Sequence, residues 1–226
     1  MRAAVLLACV ALLTLPARAE DGPAALKAAN AAIVAAAPGS AGIFTVQDDG
    51  AVRHAQSGLI CPAKYPNSTL YDVQVYKPDG TDIGCDYRRA DLKGGAWAKL
   101  TIFAVKATDG VTVDQAFAGY QKEIAQTYPE ARPLGEALQR DPKDTSSPLS
   151  DIRSREYLIT MNGQDYTTQL YVALSHGWIV EVRSTFVGPP NAVDAGREGP
   201  DSAALEMGDR IVGPKALVDA LATLGE

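Results

Sequence analysis

The chain has 226 residues, of which 46% are hydrophobic and 21% charged, and its net charge is −6. That length suits one domain with a core large enough to fold without metals or many disulfides. Only 20 glycines and 14 prolines exclude a collagenous or low-complexity chain. The balance of 21 basic to 27 acidic residues excludes a nucleic-acid binder that works through a broad basic face.

The first segment reads as an export signal. Arg2 supplies a positive start, Ala3 to Leu15 form an apolar run, and Ala17-Arg18-Ala19 is a small-x-small cleavage site. The run is too short to span a bilayer, so residues 1–19 are expected to be a signal peptide cleaved after Ala19. The expected location is periplasmic or secreted. A lipid-attachment reading of Leu6-Leu7-Ala8-Cys9 leaves too little apolar sequence ahead of Cys9. Cleavage removes Arg2 and Arg18 and no acid, taking the charge from −6 to −8. Such a surface repels nucleic acid and anionic lipid, and no later stretch is apolar enough for a transmembrane span. Two cysteines then remain, Cys61 and Cys85, and in an exported chain an even pair reads as one disulfide.

Residues 20–38 form an Ala-rich helical segment, with Pro23 at a first helical position and Pro38-Gly39 as its stop. From 39 to 226 the pattern is that of a single α+β domain. Ile43 to Gln47 and Val52 to Gln56, around Asp48-Asp49-Gly50, predict a first hairpin. Leu59 to Cys61 is a short apolar strand. Tyr71 to Tyr76 and Asp82 to Arg89 flank Lys77-Pro78-Asp79-Gly80, a strong turn sequence. Alternation puts Ile83, Cys85 and Tyr87 on one face, so the Cys61 strand is expected beside this hairpin.

Trp97 to Lys106 carries apolar groups on both faces and predicts a central strand. Thr112 opens a helix with Gln115 at the capping-box position, and Val113, Phe117, Tyr120 and Ile124 give it an apolar stripe. Residues 129–154 show no period and are expected to be a mobile loop. Glu156 to Met161, Tyr166 to Leu174 and Trp178 to Phe186 form a meander, joined by Asn162-Gly163 and Ser175-His176-Gly177. A second loop at 187–200 leads to a helix from Asp201 to Val212, and then to a last one from Lys215 to Leu224. The expected fold is a single antiparallel β-sheet with helices packed on it.

In its order of elements the chain resembles the PsbP-like fold and small bacterial envelope proteins of that build. The features that carry the likeness are the Lys77-Pro78-Asp79-Gly80 turn, the strand Leu100 to Val105 and the helix Val113 to Thr127. The late meander through Val180-Glu181-Val182-Arg183 and the terminal helix complete it. The resemblance implies a non-catalytic adaptor or binding module and transfers no functional residue.

Catalytic constellations are hard to assemble from this sequence, and none is assigned. Ser40 has Pro38 where a nucleophile elbow needs glycine, and no strand precedes it. Ser175 and His176 are adjacent in a tight turn, a poor geometry for nucleophile and base. His54 reads as a solvated strand residue. No metal site is assigned either: Asp48, Asp49, Asp79, Asp82 and Asp86 cluster near turns without EF-hand spacing, and aspartate favours turns for its own backbone bonds. Asn67-Ser68-Thr69 fits a glycosylation acceptor. The candidate ligand-binding group is Asp86, Arg88 and Arg89. Against it stands a structural reading in which Arg88 pairs with Asp86 or Glu181 across strands.

The resulting expectation is an exported, non-catalytic module of the bacterial envelope that binds a protein, peptide or small ligand, without a cofactor. An acid-based hydrolase and a structural envelope component are the alternatives. A deep pocket gathering Asp86, Tyr87 and Arg88 around a perturbed carboxylate would favour the hydrolase.

Overall fold

The computed structural model describes residues 22–65, 68–89, 98–139, 152–187, 213 and 215–225. The expected signal peptide, Asn67, Trp97, residues 188–200 of the expected loop 187–200 and the helix from Asp201 to Val212 lie outside them.

Helix α1 (Pro23–Ala36) starts at Pro23, whose missing N–H costs nothing at a first position. It is anchored less by its thin apolar stripe than by a polar contact. Buried Asn30 donates to the Gly50 carbonyl at 2.7 Å, and the Gly50 backbone presses against the helix. A Cβ at Gly50 would stand 3.0 Å from the Leu26 backbone, at a φ of +85°, so only glycine fits here.

The chain then builds two sheets. Strands β1 (Phe44–Val46), β2 (Val52–His54) and β3 (Ile60–Cys61) form a small one. The large sheet contains β4 (Lys64–Tyr65), β5 (Ser68–Val75), β6 (Asp82–Arg88), β7 (Lys99–Lys106), β8 (Arg132–Gln139), β9 (Ile152–Met161), β10 (Gln164–Ser175) and β11 (Trp178–Val187). Its order is β4-β5-β6-β7-β11-β10-β9-β8, and every pairing is antiparallel. It is thus two successive meanders zipped together where β11 returns to β7. To reach β8 from β7 the chain must cross four strand spacings, about 19 Å in all. Helix α2 (Val113–Thr127), with 15 residues, is about 22 Å long and makes that crossing. Its entry is fixed by the expected capping box: Gln115 N–H donates to Thr112 Oγ1 and Thr112 N–H to Gln115 Oε1.

The face opposite α2 carries the main core. Leu100, Ile102 and Ala104 of β7 line up there with Val180 and Val182 of β11. The C-terminal helix α3 (215–223) covers them with Ala216, Leu217 and Ala220, and Leu224 follows just beyond it. Burying Leu217 and Leu224 contributes about 2 kcal/mol each. Helix α3 is also tied to the small sheet, because Ile60 N–H donates to Thr223 Oγ1 at 3.0 Å.

The expectation of a single sheet is corrected, since the described residues form two. Cys61 does lie against the β5–β6 hairpin as expected, its Cα 6.4 Å from that of Cys85, but on a strand of the small sheet. Cys85 already has Val73 of β5 on one side and Ile102 of β7 on the other. Its disulfide to Cys61 therefore crosses the core and joins the small sheet to the large one. Residues 129–154 are not all loop either, since β8 occupies Arg132–Gln139 and β9 begins at Ile152. The β8–β9 register slips between Leu134 and Leu138, and such a bulge erases the alternation by which a strand is read. Pro133 is tolerated because β8 is a sheet edge among the described residues. Residues 140–151 lie outside the described ones.

His54 is also unlike its expectation, being fully buried rather than solvated. Its ring lies 5.6 Å from Phe44 and edge-on to Trp178 at 5.4 Å. Nδ1 bonds Ser57 Oγ at 2.7 Å. Burial pushes the imidazole pKa down to about 4, with the Gly80 backbone opposing that shift.

Two outcomes follow for stability. Replacing Cys61 and Cys85 by alanine is expected to lower unfolding free energy by about 3 kcal/mol, from the reopened loop of 24 residues; urea unfolding with and without reductant measures it. The neutral His54 ring favours the fold fully above pH 6.5. As the pH falls from there to about 4, the unfolded chain takes up a proton that the fold refuses. That loss is on the order of 3 kcal/mol, visible as a falling urea midpoint and a His54 ring resonance titrating near pH 4.

Candidate active cleft beneath helix α2

The strand registers define rows across the α2 side of the sheet. One row reads Gln74, Gly84, Phe103, Glu181, Val172 and Arg153 from β5 to β9. At Gly84 a Cβ would meet Tyr76 and Phe103 ring carbons at 3.3 Å. Glycine therefore lets these two rings close over β6, with centroids 5.9 Å apart. On α2, Val113, Phe117 and Ile124 are the buried residues. Tyr120 and Glu123, three positions apart and so on one face, look into the space that remains.

That space is a cleft of about 370 Å³ lined by Tyr76, Asp82, Phe103, Val105, Tyr120, Glu123 and Glu181. Its walls are three aromatic rings, one valine and three carboxylates. Arg183 serves two of these acids, donating to Glu181 at 2.5 Å and to Glu123 at 3.4 Å. Glu181 is 2% exposed.

The electrostatics follow from this crowding. Burial pushes the Glu181 carboxyl up to about 7; Arg183 opposes the shift, and Glu123 and Asp82 add to it. Asp82 is raised too, mainly by its own burial, with Lys77 opposing and Glu123 adding. For Arg183, burial alone would weaken the cation, but Glu181 and Glu123 more than reverse it. The guanidinium stays charged, and burial pushes the least exposed of these acids toward its protonated form. Burial and the surrounding carboxylates also raise Tyr76, to about 12, and Tyr120 still further, so both rings face the cleft as neutral phenols.

The residues singled out in the sequence, Asp86, Arg88 and Arg89, do not line this cleft. Asp86 is buried and saturated: Thr101 donates to it at 2.7 Å, Gln74 at 3.1 Å, and Lys99 pairs with it at 2.9 Å. Arg88 instead lies over the Tyr71 ring, 3.6 Å from its centroid. The expected Arg88 ion pair is thus replaced on both sides, because Lys99, opposite Arg88 in the register, takes Asp86, and Arg183 takes Glu181. Tyr87 points to the other face, where it donates to the Pro62 carbonyl at 2.9 Å. Arg89 is buried just past β6. The acidic turns behave as turns: Asp79 accepts from Thr81, and Asp49 from the Ala51 N–H.

The residues that do meet were legible only in part. Glu181 is a charge in the strand Ile179–Val180–Glu181–Val182 of a sheet covered on both faces, and that misfit was the available signal. Tyr120 was expected in the apolar stripe of α2 and Asp82 among the acidic turns, while Glu123 looks like an ordinary surface position until α2 is laid across the strands. No protein-family model matches this chain, and no curated protein matches it.

The cleft makes a pH prediction opposite in sign to that of His54. Between pH 4.5 and about 7 the folded state holds a proton on Glu181 that the unfolded chain has lost, so this group favours the fold more as pH falls through 7. A Glu181→Gln protein is therefore expected to gain stability relative to the parent between pH 5 and 8. Paired urea titrations across that range would show it, and a carboxyl carbon resonance with its midpoint near 7 would report Glu181 directly.

Proposed function

We propose that the chain is an exported, non-catalytic binding module of the bacterial envelope whose α2-side cleft takes a small organic cation bearing an amine. The observation that carries this reading is the lining: three aromatic rings and three carboxylates, of which only Glu181 and Glu123 share the Arg183 guanidinium. Aromatic faces attract an ammonium group, more strongly where water is excluded. The carboxylates supply its counter-charge, and a volume of about 370 Å³ lies within the range of small-ligand pockets. The overall negative charge steers a cation toward the protein. Export is supported by the apolar leader and the buried Cys61–Cys85 disulfide. Among the described residues no helix is long and apolar enough to cross a membrane. Helices on an antiparallel sheet support the PsbP-like resemblance as a reading of the build.

An acid-based hydrolase is the second reading, favoured by a carboxyl that keeps its proton near neutrality. Acid–base catalysis, however, works through carboxylates whose environments push them apart. Here burial raises both Asp82 and Glu181, so neither of these two is held below its ordinary range as the ionised partner.

Titration with benzylamine, monitored by backbone and aromatic NMR shifts, tests the proposal. Benzylamine is expected to bind saturably and to move Tyr76, Phe103 and Tyr120, while neutral benzyl alcohol binds at least tenfold more weakly. Equal binding of the two, or no shift in the cleft, would overturn it.

A further inference from the structure

We propose that Glu181 is the specificity-determining acid of this cleft: it carries a proton while the cleft is empty and releases it when a ligand ammonium enters. The inference rests on the cleft being a cation site and adds what sets its charge preference.

The argument is one of charge in a confined space. Glu181 faces Arg183 from its own strand, Asp82 from β6, and Tyr120 and Glu123 from α2, with Tyr76 closing the side. Arg153 shares its row two strands away, but its guanidinium is held by Asp114 at 2.6 Å. With every acid ionised, three carboxylates line the cleft, and among the described residues the Arg183 guanidinium reaches only Glu181 and Glu123. Charges in a half-desolvated site repel more strongly than in water, and proton uptake relieves the excess at the acid with least solvent. An incoming ammonium relieves it equally well. The Glu181 O–H bond then breaks, the proton passes to the buffer, and the carboxylate keeps the electron pair as counter-charge to the ligand. A neutral ligand offers no such compensation and leaves the proton in place, so it gains no ion pair with Glu181 and binds less tightly. Burial points the same way, favouring the protonated acid in the empty cleft.

Calorimetric titration of the purified protein with benzylamine, in buffers of different ionisation enthalpy, counts the protons. At pH 6, release approaching one proton per ligand is expected, falling toward zero at pH 8, and affinity should rise up to tenfold between pH 6 and 7. Glu181→Gln should abolish the release, and Asp82→Asn should keep it. The carboxyl carbon of Glu181, followed by NMR at pH 6, should shift to its ionised position on saturation; this reading needs no variant. Binding without proton release, or release that survives Glu181→Gln and vanishes in Asp82→Asn, would overturn the inference while leaving the cation site standing. Absence of benzylamine binding would instead remove the underlying reading.

Discussion

The pairing of β11 with β7 is the constraint on which the rest of the molecule depends. Eight register pairs, from Trp178 opposite Lys106 to Thr185 opposite Lys99, join two meanders that each form locally into one sheet. Because this seam sits mid-sheet, the chain leaving β7 must travel to the far edge before its second meander begins. Helix α2 is the span of that journey, and it is laid over β11, β10 and β9 by connectivity as much as by its apolar stripe. The seam also brings Phe103 opposite Glu181, residues 78 positions apart in sequence, into one row.

The two faces of the sheet then have different fates. Opposite α2, apolar side chains meet α3 and the small sheet, and the disulfide crosses that core to hold the two sheets together. Below α2, apolar packing covers the strands beyond the seam, around Phe117, Ile124, Leu170 and Val172, but gives way near β6 and β7 to an acidic, ring-walled space. Arg183 stands at the boundary between these regions. Its guanidinium is shared between the buried Glu181 carboxyl and Glu123 on the helix, so α2 is fastened to the sheet by groups that also line the cleft. Dry packing sets the position of the helix, and polar pairing sets how far the cleft stays open.

Much of the framework was legible because it is set by neighbours in sequence. The Thr112–Gln115 capping box needs only a serine-like oxygen and an amide three residues on. The Asn162-Gly163 and His176-Gly177 hairpins need two successive residues at positive φ, which they adopt. The Cys61–Cys85 bond followed from an expected export and an even count. Strand β8 was not legible, because its bulge interrupts the alternation and its pairing energy comes from β9. His54 read as solvated because nothing local announces that Trp178, far along the chain, will close over it. The group Asp86, Arg88 and Arg89 drew attention through charge density alone, and the structure disperses it: one satisfied buried acid, one cation resting on an exposed tyrosine, one arginine buried past the strand end.

Taken by itself, the sequence determined the elements whose physics is short-ranged: the caps, the two-residue turns, the alternating strands, the single cystine and the acidic balance. Only the tertiary structure decided that there are two sheets rather than one, where α2 lies, and which acids share a cleft. The reason is that a side chain's charge state and neighbours depend on what removes its water. For Glu181 that is Tyr120 and Glu123 on a helix some 60 residues earlier, a proximity fixed by strand order that no local pattern encodes.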